Sequence, residues 1–249
     1  MSDTALFRYA LGLADDQLIL GHRLSEWSGE APTLEEELAL ANIALDLIGQ
    51  ARMLYQLAGE VEGAGRDEDA LAYLRDERGY LNLHIVEQPK GDFGETIARQ
   101  LLYCAFMRAF WPALAQSTDG RLAAIAAKAA KESAYHFRHA AAWAARLGDG
   151  TDESKRRIQA GLDRLWRYTG EMFEESLDEA ALAGVAVRRQ DLKPAWDAAI
   201  DAALAEATLD RAEDGWMATG GREGLHGEHL GHLLAEMQFL QRAYPGQKW

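Results

Sequence analysis

Proline occurs only five times in this chain of 249 residues, and four of the five lie near the ends of segments whose apolar residues recur at helical spacing. Alanine and leucine dominate the segments between the prolines, whereas β-branched residues are sparse. Such a composition favours helix almost everywhere, because alanine and leucine are good helix formers and proline cannot continue a helix. The pattern therefore predicts an all-α chain.

Helix starts and stops divide the chain into periodic segments. Thr33 with Glu36, and Asp92 with Glu95, have the spacing of N-terminal caps, and Gly59 is predicted to end the helix that Thr33 opens. The predicted helices lie at about 4–27, 33–58, 67–86, 92–116, 119–147, 151–184, 191–208 and 226–244. A glycine-containing stretch at 211–224 predicts a long irregular loop.

Loop lengths predict the topology. Short loops join the first helix to the second and the fourth to the fifth, so each pair is expected to form an antiparallel hairpin. The segment 60–91 between the hairpins is far longer than an ordinary bundle loop. Two hairpins joined by one long crossover make a ferritin-like helix bundle. We therefore expect a single ferritin-like domain over 1–249, with additional C-terminal helices.

Charge and composition exclude several classes of function. Lys and Arg number 26 against 40 Asp and Glu, which gives a formal net charge of −14. Such a charge repels nucleic acids and anionic membranes. The most apolar stretch, 97–115, is interrupted by Arg99 and Arg108, and Cys104 is the only cysteine, so neither a membrane span nor a disulfide framework is expected. The N-terminus carries no basic region of the secretory type, and we expect a cytoplasmic protein.

Because ferritin-like bundles can hold two metal ions, the number of candidate ligands on each helix indicates whether a di-metal centre is possible. A di-metal centre in such a bundle needs a Glu from each of two helices and a Glu-x-x-His motif from each of the other two. The second helix contains no histidine; its central acid is Asp46, and three residues later stands Gly49. The fourth helix carries no carboxylate between Glu95 and Asp119. These two helices therefore lack the groups that a complete di-iron site requires.

The fifth helix carries the remaining candidates. Glu132 and His136 are four residues apart, but the residue three positions before His136 is Ser133, a poor iron ligand. For Glu132 and His136 we favour an ordinary hydrogen-bonded role over metal ligation. Asp46 lies in an apolar stretch, so we expect it to be buried and to need a partner such as Arg52 or His136.

Histidines are densest near the C-terminus. His226, Glu228, His229 and His232 lie within seven residues. His229 and His232 can share a helical face, which would allow a mononuclear metal site. A helix start crowded with polar groups is also typical of an edge that binds a partner protein, and we favour that interpretation.

Several strings in the chain resemble the C-subunit family of phenylacetyl-CoA epoxidases, and the similarity extends from Leu11 to Trp249. The strings are 38–52 (LALANIALDLIGQAR), 75–78 (RDER), 86–89 (VEQP) with 96–100 (TIARQ), 225–231 (LHGEHLG), 234–238 (LAEMQ) and 245–249 (PGQKW). The resemblance implies a ferritin-like subunit of a multicomponent bacterial oxygenase of phenylacetate catabolism. Such an assembly converts phenylacetyl-CoA to its 1,2-epoxide with O₂ and with electrons that a reductase draws from NADPH.

The resemblance also implies that the subunits of the assembly have different roles. The catalytic A subunit holds the di-iron centre and the substrate, whereas a chain of this type is a non-catalytic structural subunit that binds no cofactor itself. Laid over the catalytic subunit's motifs, the remnant ligand positions fall at Asp46, Gly49, Ser133 and His136. The expected partners are the A subunit and the other epoxidase subunits, including the reductase. We expect the first, second or fourth helix to offer them an apolar face.

Three alternatives remain open at this stage. The chain could be a self-sufficient di-metal oxidase or ferroxidase that uses Asp46, Glu132 and His136. It could bind an anion or CoA through Arg222 and Lys248. Without its partner it could also form a homodimer.

Overall fold

The structure is a computed structural model that describes residues 2–247, and within them the chain forms helices and loops but no strand. The α-helices are α1 (Ser2–Ser25), α2 (Leu34–Glu62), α3 (Glu68–Tyr73), α4 (His84–Glu87), α5 (Phe93–Leu114), α6 (Gly120–Gly148), α7 (Asp152–Leu165), α8 (Leu177–Ala180), α9 (Lys193–Glu206), α10 (Glu228–Met237) and α11 (Phe239–Ala243). None of the helices in this part of the chain combines the length and apolar character needed to cross a bilayer.

Four long helices form the bundle. α1 packs along α2 and α5 packs along α6, and the crossover 63–92 joins the two hairpins. α5 lies at the centre because α6, α7 and α9 all pack against it, and it is buried along most of its length. The predicted ferritin-like fold, with additional C-terminal helices, is confirmed.

The helix caps explain where the long helices begin. The Thr33 hydroxyl accepts the backbone N–H of Glu36 at 3.4 Å, and the Asp92 carboxylate accepts that of Glu95 at 2.9 Å. Each cap satisfies a donor that has no partner within its own helix, so α2 and α5 start at the predicted positions.

The end of α2 differs from the prediction. The helix does not stop at Gly59 but continues to Glu62, and Gly63 ends it in a left-handed conformation with φ 66°. Gly59 is needed for close packing instead, because the carbonyl oxygen of Arg66 lies only 2.3 Å from the position that a Cβ atom would take. The glycine therefore marks a close backbone approach and not a helix end.

The predicted helix at 67–86 is wrong. This segment instead contains α3, a 3₁₀ turn at Glu77–Gly79, an extended stretch at 80–83 and α4. The carboxylates of Asp15 and Asp16 on α1 accept the backbone N–H groups of Leu81 and Leu83, both at 2.8 Å. These donors are therefore not available for helical hydrogen bonds, and the chain stays extended over α1.

The predicted helix at 151–184 is also too long. α7 ends at Leu165, and the 3₁₀ turns Trp166–Tyr168 and Gly170–Phe173 lead to α8. The Arg167 carbonyl accepts the N–H of Ala218 at 2.9 Å, and the Glu171 carboxylate accepts that of Gly221 at 2.6 Å. Contacts with the irregular segment 211–221 thus replace helical hydrogen bonds. The predicted helix at 226–244 is divided at Gln238 into α10 and α11.

Candidate functional site

Polar side chains bridge α2 and α6, the two helices that carry the candidate ligand positions Asp46 and His136. The bridging pairs are Asp46 Oδ2 with His136 Nε2 at 3.0 Å, Glu132 Oε2 with Gln50 Nε2 at 2.7 Å, and Glu36 Oε2 with His139 Nε2 at 2.9 Å. On each helix the members stand at spacings that keep them on one face. We call these three pairs the polar bridge.

The pair of Asp46 and His136 was anticipated in part. Of the two predicted partners of Asp46, the structure selects His136, while Arg52 pairs with Glu68 at 3.0 Å. The predicted burial of Asp46 is wrong: its side chain is 40% exposed, against 3% for His136, because it lies at the outer edge of the contact between α2 and α6. Burial lowers the pKa of His136 against the opposing effect of Asp46. The neutral imidazole therefore donates its Nε2 hydrogen to the carboxylate.

The other candidate ligands on α6 have partners of their own. Glu132 is hydrogen-bonded to the Gln50 amide, and no hydrogen bond joins it to His136 among the described residues. The Ser133 hydroxyl donates to the carbonyl oxygen of Ala130 at 3.2 Å. The self-sufficient oxidase that needs Asp46, Glu132 and His136 as a ligand set is therefore not favoured.

The remaining positions do not complete a metal site. Gly49 faces open space, with no described heavy atom within 4 Å of where a Cβ would lie. Gln17 on α1 donates through Nε2 to Tyr103 Oη on α5 at 2.8 Å, so this contact between the two helices is made by an amide and a phenol and not by carboxylates. Within residues 2–247 no group of three or more His, Cys, Asp or Glu side chains is placed to hold a metal ion. The residues present do not fit a di-iron centre.

The C-terminal histidine cluster is not assembled as one site. His226 is enclosed, with Nδ1 2.9 Å from Glu87 Oε2 and Nε2 2.9 Å from the carbonyl oxygen of Tyr80. Glu228 and His232 are exposed on α10, and His229 is partly buried. His226 therefore fastens the C-terminal segment to the crossover, and the structure does not gather the four predicted residues around a common point.

Arg222 is committed to the interior of the protein. Its guanidinium donates to Asp16 Oδ2 at 2.6 Å and to the carbonyl oxygens of Gly12 and Leu81, both at 2.8 Å. These bonds engage the guanidinium inside the protein, so the structure does not favour the alternative in which Arg222 binds an anion or CoA. Lys248, the other residue of that hypothesis, lies outside the described residues.

Sequence reasoning missed a set of buried ion pairs under the crossover. They are Asp15 with Arg75, Asp16 with Arg222, Glu171 with His84, and Glu87 with His226. The adjacent acids Asp15 and Asp16 in the largely apolar middle of α1 were the available signal, because buried carboxylates require partners. Together the pairs attach the crossover and the segment around 220–227 to α1.

The exposed apolar surface of the long helices is concentrated on α2. The large apolar side chains exposed there are Leu34, Leu38, Leu45 and Ile48. α1 and α5 are buried over most of their length by the rest of the bundle. Of the three helices named as candidates for an apolar face, α2 is the one whose large apolar side chains are exposed in the described part of the chain.

The fold and the polar bridge define a ferritin-like helix bundle in which hydrogen-bonded polar side chains join α2 to α6. The whole chain, residues 1–249, matches the family described as phenylacetic acid catabolic protein. It is also 50% identical over 246 residues to the C subunit of 1,2-phenylacetyl-CoA epoxidase from Escherichia coli (strain K12). That alignment covers 98% of this chain and 99% of the relative. The chain belongs to the phenylacetic acid catabolic protein family.

Proposed function

We propose that this chain is the non-catalytic C subunit of a phenylacetyl-CoA epoxidase, acting in the cytoplasm in aerobic phenylacetate degradation. The near full-length similarity to the C subunit of such an enzyme supports this assignment. The single observation that carries the non-catalytic role is the polar bridge, in which Asp46, Glu132 and His136 bind other side chains across the bundle. These pairs give each of the three side chains a structural partner that requires no metal.

The proposed role assigns the chemistry to the partners. The di-iron centre and the bound substrate belong to the catalytic A subunit, and a reductase supplies electrons from NADPH. This chain contributes a rigid neighbour, because its hydrogen bonds and ion pairs hold the helices in place without metal. Packing against such a bundle keeps the helices that carry the iron ligands in their productive arrangement. The chain thus supports catalysis by positioning another subunit.

Replacing every candidate ligand at once tests the proposal. The variant Asp46→Asn/Glu132→Gln/His136→Gln keeps the side-chain sizes while it removes two carboxylates and an imidazole. Assembled with the catalytic subunit and the reductase, it is expected to support phenylacetyl-CoA epoxidation within about twofold of wild type, because none of these groups takes part in the reaction. The rate of epoxide formation and the yield of assembled complex are both measured.

The control variant is His139→Gln, which breaks the third pair of the polar bridge but changes no proposed ligand. Equal activity of both variants in intact complexes supports the structural role. A loss of about 100-fold in the triple variant alone, with assembly unchanged, would show that this chain takes part in the chemistry.

A further inference from the structure

Arg99, on α5, is a buried cation with no carboxylate bound to it. The residue is 1% exposed. Its Nη1 donates to the carbonyl oxygens of Gln88 and Pro89, at 2.6 and 3.3 Å. Nε and Nη2 are buried as well, and within residues 2–247 neither has a hydrogen-bond partner. One side of the guanidinium is therefore satisfied by the chain, and the other side is not.

Other enclosed arginines in the described part of the chain are paired. The pairs are Arg23 with Glu26, Arg75 with Asp15, Arg189 with Glu179, and Arg222 with Asp16. The charges of Glu26 and Glu95 also act on Arg99. Glu26 binds Arg23, however, and Glu95 binds Arg164. Arg99 thus differs from the other enclosed arginines in having no acid of its own.

The guanidinium of Arg99 keeps its charge at neutral pH. Burial and the nearby charge of Arg23 lower the pKa of Arg99 to about 10, which is still well above neutral pH. A charge inside a protein is costly when no partner compensates it, and buried polar groups are almost always hydrogen-bonded. The two donors of Arg99 therefore require an acceptor, and a negatively charged acceptor also compensates the charge.

The position of the two donors indicates which acceptor fits. Nε and Nη2 lie along one edge of the planar guanidinium with their N–H groups side by side, an arrangement that binds two oxygens of a planar oxyanion. Because the edge is enclosed, the anion must be small. Pro89, whose carbonyl oxygen accepts from Nη1, is an exposed residue. The guanidinium therefore lies directly below the surface, and a small anion has a short path to it.

We propose that the Nε and Nη2 edge of Arg99 binds a small planar oxyanion with a single negative charge, of the size of formate or bicarbonate. The anion takes the place beside Arg99 that a carboxylate side chain takes beside the other enclosed arginines. The site is formed by α5 and the turn 88–91, so this inference does not depend on the proposed function.

Thermal unfolding in sodium formate, compared with sodium gluconate at equal ionic strength, tests the site. Gluconate has the same charge but is too large for an enclosed edge. The midpoint of wild type is expected to rise by about 3–6 °C when formate reaches roughly ten times its dissociation constant. Arg99→Met removes the donors, so its midpoint is expected to be the same in both salts. Arg121→Met, which removes an exposed arginine from α6, is the matched control and is expected to respond like wild type.

A second measurement makes the test independent of stability. The ¹³C NMR signal of formate is expected to broaden in the presence of wild type and to stay sharp with Arg99→Met. Arg99→Lys keeps the positive charge but lacks the two parallel donors, and it is expected to lose the broadening as well. The lysine variant replaces the methionine variant if the latter does not fold.

Two results would overturn the proposal. Equal responses to formate in wild type and Arg99→Met, in both measurements, would leave the edge to water molecules. A response in Glu95→Gln but none in wild type would show that the Glu95 carboxylate turns from Arg164 to Arg99 and occupies the edge itself.

Discussion

Asp15→Ala is expected to lower the free energy of unfolding by about 3–5 kcal/mol, because it leaves a buried guanidinium without its counter-ion. Asp15 is fully buried, and Arg75 donates to both of its carboxylate oxygens. The same carboxylate accepts the Tyr55 hydroxyl at 2.5 Å and the backbone N–H of Leu81 at 2.8 Å. One side chain thus joins α1, α2 and the crossover, and its loss affects all three.

Urea denaturation of wild type and variant measures this effect. The matched control is Asp178→Ala, which removes the partner of Arg8 from a partly exposed pair and is expected to cost at most about 1 kcal/mol. An Asp15→Ala variant within about 1 kcal/mol of wild type would mean that the ion pairs under the crossover do not stabilise the fold.

Stability is expected to fall as the pH rises above about 6.5, because two enclosed histidines are held in their charged form. Burial alone would lower the pKa of His84 and His226, but hydrogen bonds to Glu171 and Glu87 outweigh it, and both pKa values are raised. His226 illustrates the cause, since both of its ring nitrogens face oxygen acceptors. A histidine whose pKa is raised in the folded state stabilises the fold fully at pH values below its unfolded-state pKa of about 6.5. This stabilisation is lost as the pH rises through the folded-state pKa.

The free energy of unfolding at about pH 6 and about pH 9, on either side of this transition, tests the pH dependence. Wild type is expected to be less stable at the higher pH, where His84 and His226 have lost their charge and with it their ion pairs to Glu171 and Glu87. His226→Gln removes one of the two titrating groups, so the difference between the two pH values is expected to shrink. His232→Gln, on the outer part of α10, is the control and is expected to retain the full difference. An identical pH dependence in His226→Gln and wild type would contradict the assignment of charge to His226.

The two helical hairpins were predictable from residues that lie close together in the sequence. The conformation of the crossover was determined by contacts between residues that are far apart in the sequence. Thr33 and Asp92 cap their helices through residues three positions away, so sequence alone locates these starts. The crossover departs from its helical pattern because Asp15 and Asp16, more than sixty positions earlier, bind its backbone. Hydrophobic periodicity depends on one segment at a time. It therefore cannot show that side chains elsewhere in the sequence compete for the backbone hydrogen bonds of that segment.

The same distinction applies to the candidate site. His136 was one of the two partners predicted for Asp46, because few groups of the right chemistry were available. The contact between Gln50 and Glu132 was not predicted, because an amide side chain is not a typical ligand of iron and Gln50 was therefore not among the candidates. The exposed apolar residues of α2 could not be recognised for another reason: exposed leucines on a helix have the same spacing as core leucines, and only the packed structure separates the two faces.

The iron content of the purified chain, produced with excess iron and measured beside the assembled complex, tests the central claim most directly. If the polar bridge has replaced the metal, the chain alone holds no stoichiometric iron and the iron of the complex is accounted for by the catalytic subunit. About two irons per chain, with an absorbance that responds to O₂, would contradict this account and make the protein an oxygenase in its own right.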